Sequence, residues 1–226
     1  MSGVLCVYKP RGITSHDVVD RVRELTGERR VGHAGTLDPL AEGVLIVLVG
    51  RSATRQQARF MSGEKEYLAT LRLGSTSATD DAEGPITTVS DSQPELSSLK
   101  SAVEAWVGDR EQVPPAYSAI KLQGKKAYEV ARSGAVPKLQ ARPVSIREIE
   151  ILHYTYPNLE LRIICSKGTY IRSLARDIGD ALGVGAYLSR LIRSKSGSFS
   201  TEDAVALDSL TPKNIDAHLA KSAPAP

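Results

Sequence analysis

Residues 43–50 read GVLIVLVG, an unbroken aliphatic run between two glycines. A strand with one wet face alternates apolar and polar residues, and this run does not. It is therefore expected to be a strand covered on both faces, inside a sheet.

The remaining segments say what kind of sheet. GVLCVYKP (3–10) reads as a strand stopped by Pro10. TSHDVVDRVRELTG (14–27) reads as a helix with Ser15 as its cap, Val18, Val19, Val22 and Leu25 on one face, and Gly27 as its stop. Residues 32–42 are glycine-rich and lack a helical period, so they read as a loop. SATRQQARFM (52–61) reads as a short helix, and KEYLATLRLG (65–74) as a strand with Tyr67, Ala69 and Leu71 on one side. STSATDDAEGPI (75–86) reads as a solvated polar loop. PELSSLKSAVEAWVGD (94–109) is helical, with Leu96, Leu99, Val103 and Trp106 on one face. Pro114 and Pro115 hold QVPPAYSAIK extended. KKAYEVARSG is a short helix, and PVSIREIEILHYTY with NLELRIICSKG forms a hairpin around Pro157-Asn158. TYIRSLARDIGDALG is a strong helix, AYLSRLIRSKSGSFS is extended, and SLTPKNIDAHLAKSAPAP ends in a short helix and tail.

Strands and helices interleave without a regular βαβ repeat, and neighbouring strands look like hairpins. The expected class is α+β, with a central mixed, largely antiparallel sheet flanked by helices. Residues 110–142, rich in Pro, Lys and Gly, read as an excursion from that sheet.

Several function classes lack their signatures. No GxxxxGK[ST], no GxGxxG after a strand and no GxSxG occur, and His16, His33, His153 and His218 have no metal-ligand spacing. Neither a metal nor another cofactor is expected. Cys6 and Cys165 sit in apolar runs as reduced, buried residues. No apolar stretch reaches membrane-spanning length, so a soluble, cytoplasmic protein is expected. The net charge is +3, but the basic residues cluster at GERR (27–30), KLQGKK (121–126) and RLIRSK (190–195). Three clusters suit a polyanion partner better than three chance solvated faces.

Four stretches are unusual: KPRGITS (9–15), GHAGTLDPLAEGVL (32–45), KEYLATLRLGSTSATDD (65–81) with an exposed-looking Tyr67, and SKGTYIRSLARDIG (166–179). The last puts Arg172 in the first turn of a helix, against the helix dipole. Such an arginine needs an anionic partner, and Asp38 is a candidate. A lone Leu-Asp-Pro would ordinarily be a turn, and a lone tyrosine or histidine an ordinary core or rim residue.

With PPAYSAIKLQGKKAYEVARSG and CSKGTYIRSLARDIGDALGVGAYLSRLIRSKSG added, these blocks closely resemble the TruB family of tRNA pseudouridine synthases over residues 3–210, in the family's order. The resemblance implies the pseudouridine synthase fold with a thumb-like insertion at 110–142. It also implies isomerisation of uridine 55 in the tRNA T loop, with the N1–C1′ bond broken and a C5–C1′ bond formed. Asp38 matches the catalytic aspartate. Covalent attack on the ribose, attack on the base and removal of a C2′ proton all remain open as its step. A carboxylate suits the positive charge that develops at C1′ as the glycosidic bond breaks. Arg172 matches the arginine that keeps this carboxylate ionised.

The target base must leave its stack. Tyr67 matches the tyrosine that stacks on it, and Tyr170 the one that lines the pocket and takes part in proton loss from C5. His33 matches the histidine that fills the vacated space, and Leu191 an apolar pocket residue. Lys9 belongs to a block that supports the active-site loop and reads as structural or phosphate-facing. Lys121, Lys125 and Lys126 fall in the thumb that clamps the T-arm and would meet phosphates. Many members carry a PUA module beyond this region. Here the expected organisation is a catalytic domain over 1–210, then a short helix and tail over 211–226 with no PUA domain. A monomer is expected. A guide-RNA-dependent subunit, an RNA-folding helper and a nucleosidase are the rivals. The last would need a second carboxylate, for which Asp80 and Asp81 are the nearby pair in sequence.

Overall fold

The computed structural model describes residues 1–118, 120–122 and 124–221. It forms two compact units, Met1–Leu68 with Leu191–Pro226, and Ala69–Arg190. The first unit begins with β1 (Gly3–Lys9), α1 (Ser15–Thr26), β2 (Val31–His33), β3 (Glu42–Val49), two short helices α2 (Gly50–Thr54) and α3 (Gln57–Ser62), and the start of β4 (Lys65–Leu73). β3 is the strand the aliphatic run requires, and every residue from Gly43 to Val49 is buried. β1 lies antiparallel along its whole length, from Gly3 opposite Val49 to Lys9 opposite Gly43. β2 is antiparallel to it as well, with Val31 opposite Val49. Val4, Cys6, Val44, Ile46 and Leu48 pack with Ala34, Ala53, Phe60 and Phe199 in one apolar cluster.

The cap of α1 is Thr14 rather than the expected Ser15. Thr14 and Asp17 form a reciprocal capping box, and Gly27 closes the helix in the left-handed region. The reason is helical register. Ser15 lies on the same face as Val18, Val19, Val22 and Leu25, all of them buried, so its hydroxyl points inward.

The second unit holds the rest of β4, the hairpin β5 (Ser75–Ser77) and β6 (Ile86–Thr88), α4 (Leu96–Glu104) and β7 (Gly108–Gln112). A small hairpin follows, β8 (Lys121–Leu122) with β9 (Lys125–Lys126), then α5 (Ala127–Arg132), β10 (Arg142–Thr155), β11 (Asn158–Cys165), α6 (Ile171–Ala181) and most of β12 (Ala186–Ser196). Its strands run in the order β4-β11-β10-β7. β7 and β10 pair antiparallel from Ile146 opposite Gly108 to Arg142 opposite Gln112, so both ends of the 110–142 excursion are rooted in one strand pair. On α4, Leu99 and Val103 are buried as expected. Leu96 is exposed, and the helix ends before Trp106.

The chain then returns to the first unit through β13 (Phe199–Ser200), β14 (Val205–Ala206) and α7 (Ile215–Lys221). β12 and β3 are parallel, with Ile192 opposite Glu42 and Arg193 opposite Gly43, and β14 is parallel to β1. The result is a mixed, largely antiparallel α+β arrangement, as expected. The α7 helix matches the expected short C-terminal helix, and residues 222–226 of the expected tail lie outside the described residues. Cys6 and Cys165 are both buried and lie outside any disulfide.

Gly43 packs closely against a neighbouring strand. Its φ is +107°, and a Cβ there would overlap the main chain of Arg193. Gly12 has a comparable φ of +94° but open space around it. Gly12→Ala is expected to cost about 1–2 kcal/mol from backbone strain alone. Gly43→Ala is expected to cost about 3 kcal/mol or more, read as the difference in urea unfolding free energies.

Candidate active site

In the first unit, Asp38 is half-buried on the loop between β2 and β3, and that loop is fastened on both sides of it. The Ser15 hydroxyl accepts from the Leu37 amide at 2.8 Å and donates to the Leu37 carbonyl at 2.9 Å. The Pro39 carbonyl accepts from the Gly12 amide at 2.8 Å, and the Asp38 carbonyl from the Ala41 amide at 3.0 Å. Two buried cations complete the hold. Lys9, 0 % exposed, donates through Nζ to the carbonyls of Pro10 at 2.8 Å and Ile13 at 2.6 Å, and reaches Pro39 O at 3.5 Å. Arg193, 1 % exposed, donates to Val44 O at 2.7 Å, Gly35 O at 3.1 Å and Thr36 O at 3.4 Å. Carbonyls along the loop and at its exit thus bind buried guanidinium and ammonium groups. The backbone that presents Asp38 is set before any substrate arrives.

This placement decides between the two readings of Lys9 and corrects that of Arg193. Lys9 supports the loop and does not face phosphate, because its ammonium is enclosed by carbonyls. Arg193, counted in the RLIRSK cluster as polyanion surface, is core. The signal was present in the alternation of β12, which puts Arg193 on the same inward side as Leu191, and Leu191 is buried as well.

Tyr67 is also buried rather than exposed. It shares the inward face of β4 with Lys65, Ala69, Leu71 and Leu73. His33 ends β2, and its carbonyl accepts from Gln57 Nε2 at 2.8 Å. Its Nδ1 is buried and makes no hydrogen bond within the described residues. Burial first, then the charges of Arg193 and His16, hold its imidazole below the ordinary range.

In the second unit, α6 carries Arg172 in its first turn, which directly follows Tyr170. Arg172 is 5 % exposed. It donates to Thr79 O at 3.1 Å and Tyr117 O at 3.0 Å, and its Nε lies 3.6 Å from the Asp81 carboxylate. One turn on, Arg176 pairs with Asp80 at 2.9 Å and with Asp177, and donates to Val113 O at 3.0 Å. The two arginines, four residues apart on one helix face, join the Thr79–Asp81 turn to the Val113–Tyr117 stretch. The reading of residues 75–86 as a solvated loop is therefore corrected. Asp81 is 3 % exposed and accepts from Thr79 Oγ1 at 2.5 Å and the Glu83 amide at 3.0 Å. Burial pushes the Asp80 carboxyl up against the opposing pull of Arg176 and Arg172.

Tyr170 is half-buried at the N-cap of α6 and offers no side-chain cap. Its main chain is held by the buried side chain of Gln112, which the sequence reading did not single out. Its signal was weak: a polar residue at the end of a charged strand, just before Pro-Pro.

Lys121, Lys125 and Lys126 are exposed on the β8–β9 hairpin, where Lys121 stands opposite Lys126. Like charges directly across a strand pair repel. An anionic partner would relieve that repulsion. Among the described residues no group of three or more His, Cys, Asp or Glu could hold a metal ion, and no helix is long and apolar enough to cross a membrane.

Residues 23–171 match the TruB family pseudouridylate synthase N-terminal domain, and residues 172–223 the tRNA pseudouridylate synthase B C-terminal domain. The chain belongs to the TruB family of pseudouridylate synthases. The junction between the two matches falls inside the first turn of α6 and is not a break in the structure. A tRNA pseudouridine synthase B of Clostridium novyi is 46 % identical over 219 residues, covering 97 % of this chain and 75 % of the relative. The protein of the same name from Protochlamydia amoebophila is 47 % identical over 205 residues, covering 91 % and 78 %. Among solved structures, a chain of a Cbf5-Nop10-Gar1 complex is 31 % identical with a TM-score of 0.72, covering 92 % of this chain and 53 % of its own length. A chain of the archaeal box H/ACA sRNP Nop10-Cbf5 complex is 28 % identical with a TM-score of 0.70, covering 97 % and 58 %. This TruB-family chain thus spans a little over half the length of those two structural relatives.

The lowered His33 value has a definite sign. The unfolded chain takes up the proton near the ordinary value of about 6.5, while the folded TruB domain resists it. His33 therefore leaves stability unchanged above that pH and erodes it as pH falls below. Between pH 7 and 5.5 the wild type is expected to lose more unfolding free energy than His33→Gln. Equal losses would remove His33 from the account.

Proposed function

We propose that this chain isomerises uridine 55 of the tRNA T loop to pseudouridine, acting on tRNA without a guide RNA, a metal or another cofactor. The observation that carries the reading is the fixed presentation of Asp38. It is held on a loop bound from beneath by Lys9 and Arg193 and from the side by Ser15, in a chain 46 % identical to a relative named tRNA pseudouridine synthase B. The reaction breaks N1–C1′, forms C5–C1′, releases the C5 proton and returns a proton to N1. It is a balanced isomerisation that needs no co-reactant. Asp38 supplies the carboxylate for the ribosyl transfer. Tyr170 and Arg172 serve the same reaction, while His33, Tyr67 and Leu191 bind the flipped nucleotide and its loop. Lys121, Lys125 and Lys126 bind T-arm phosphates, and the like-charge pair on the β8–β9 hairpin supports this. The buried cysteines Cys6 and Cys165, outside any disulfide, support a reducing, cytoplasmic setting, and a monomer is the simplest active form.

A second reading, a catalytic subunit that needs a guide RNA, draws on the structural likeness to chains solved in Cbf5 and H/ACA complexes. Higher identity to the relatives named for tRNA favours the first.

The test is tritium release from an unmodified tRNA transcript carrying C5-tritiated uridine, with no other protein or RNA added. Wild type is expected to release one tritium per target uridine. Asp38→Asn should bind the transcript but release it slower by at least about a thousandfold. Release by wild type only after a guide RNA and partner proteins are added would favour the second reading. Equal release by both proteins would remove Asp38 from the chemistry.

A further inference from the structure

Gln112 is the last residue of β7 and the only buried one in that strand, 1 % exposed. A buried primary amide needs partners for both its donor and its acceptor. Both partners belong to one residue. Gln112 Oε1 accepts from the Tyr170 amide at 2.8 Å, and Gln112 Nε2 donates to the Tyr170 carbonyl at 3.1 Å.

That carbonyl also accepts the first main-chain bond of α6, from the Leu174 amide at 3.1 Å. Gln112 thus ties down both polar groups of the residue at which the helix begins, where no side chain of the helix itself supplies a cap. The other end of this link is the root of the thumb. Gln112 stands opposite Arg142 at the close of the β7–β10 pair. The chain leaving it is met again by α6 at Val113 O, through Arg176, and at Tyr117 O, through Arg172. Three points within six residues of the thumb's entry are therefore hydrogen-bonded to the first two turns of one helix.

We propose that Gln112 is a positioning residue for the isomerisation. From the root of the thumb it sets the main chain of Tyr170, and with it the first turn that aims Arg172, so that the segment that grips RNA and the residues that act on uridine share one rigid joint. This role rests on the isomerase reading above. Gln112 touches no substrate in it. Its effect is on the rate of chemistry and not on RNA affinity, because the exposed lysines that bind phosphate lie beyond it on a separate hairpin.

The experiment compares wild type, Gln112→Ala, which loses both bonds, and Gln112→Glu, which keeps the acceptor for the Tyr170 amide. Three quantities are read on the full chain: single-turnover tritium release at saturating enzyme, the Kd for the transcript, and amide hydrogen exchange at residues 170–173 of the free protein. Gln112→Ala is expected to slow release about tenfold or more, leave Kd within about twofold, and speed exchange at residues 170–173 by about tenfold or more. Gln112→Glu should recover part of the protection and part of the rate. It carries the same comparison if the alanine variant does not fold. Unchanged release, or slowed release with those amides still protected, overturns the proposal. So does a loss of affinity that accounts for the whole loss of rate. If wild type itself releases no tritium, the isomerase reading fails and this role falls with it.

Discussion

Two buried cations hold the loop that carries Asp38, the carboxylate on which the proposed reaction rests. Lys9 and Arg193 are among the largest fully buried side chains of the protein, and they donate hydrogen bonds to main-chain carbonyls on and around the Asp38 loop. Burying a cation costs several kcal/mol unless its donors are satisfied. An apolar side chain in either place could give an equally stable core. What it could not give is a glycine-rich loop with its carbonyls turned inward in a single arrangement. That arrangement places Asp38 between two anchored neighbours, Leu37 and Pro39, and in the proposed reaction a carboxylate so preorganised would need no reorganisation when charge develops at C1′.

The second unit uses the same device with ion pairs added. Arg172 and Arg176 project from one face of α6 into the Thr79–Asp81 turn, where Asp81 and Asp80 receive them. Asp80 sits in the left-handed region at φ 61°, a conformation that aspartate tolerates better than most residues. The turn is thus held by these ion pairs together with main-chain hydrogen bonds to Leu188. The arginine placed against the dipole of α6 is explained by these partners, which offset the unfavourable position.

Much of the fold was legible because it rests on periodicity. The aliphatic run at 44–49, the stripe of Val18, Val22 and Leu25, the long β10–β11 hairpin and the apolar face of α6 each carry a pattern that admits one element. The reading of Asp38, Tyr170 and Arg172 as site residues rests only on long motif blocks. A single Leu-Asp-Pro contains no information about what anchors it. The supporting residues were least legible. Ser15 reads equally well as a cap or as an inward hydroxyl, and the distinction is one residue of register. Arg193 stands in a basic cluster whose other members, Arg190 and Lys195, are exposed. Asp81 lies in a stretch that looks solvated until its partner, 91 residues away in sequence, is known. Local composition cannot show a buried polar group that is satisfied by a distant segment.

The central claim, that a buried guanidinium fixes the Asp38 loop, is tested most directly with Arg193→Lys. Lysine keeps the charge but cannot donate to Val44, Gly35 and Thr36 from one planar group. The measurement is amide exchange over residues 34–41 together with single-turnover tritium release on the same preparation. The account predicts a folded protein whose loop amides exchange about tenfold faster or more, with release slowed in step. A variant that keeps both the protection and the rate of wild type would contradict it.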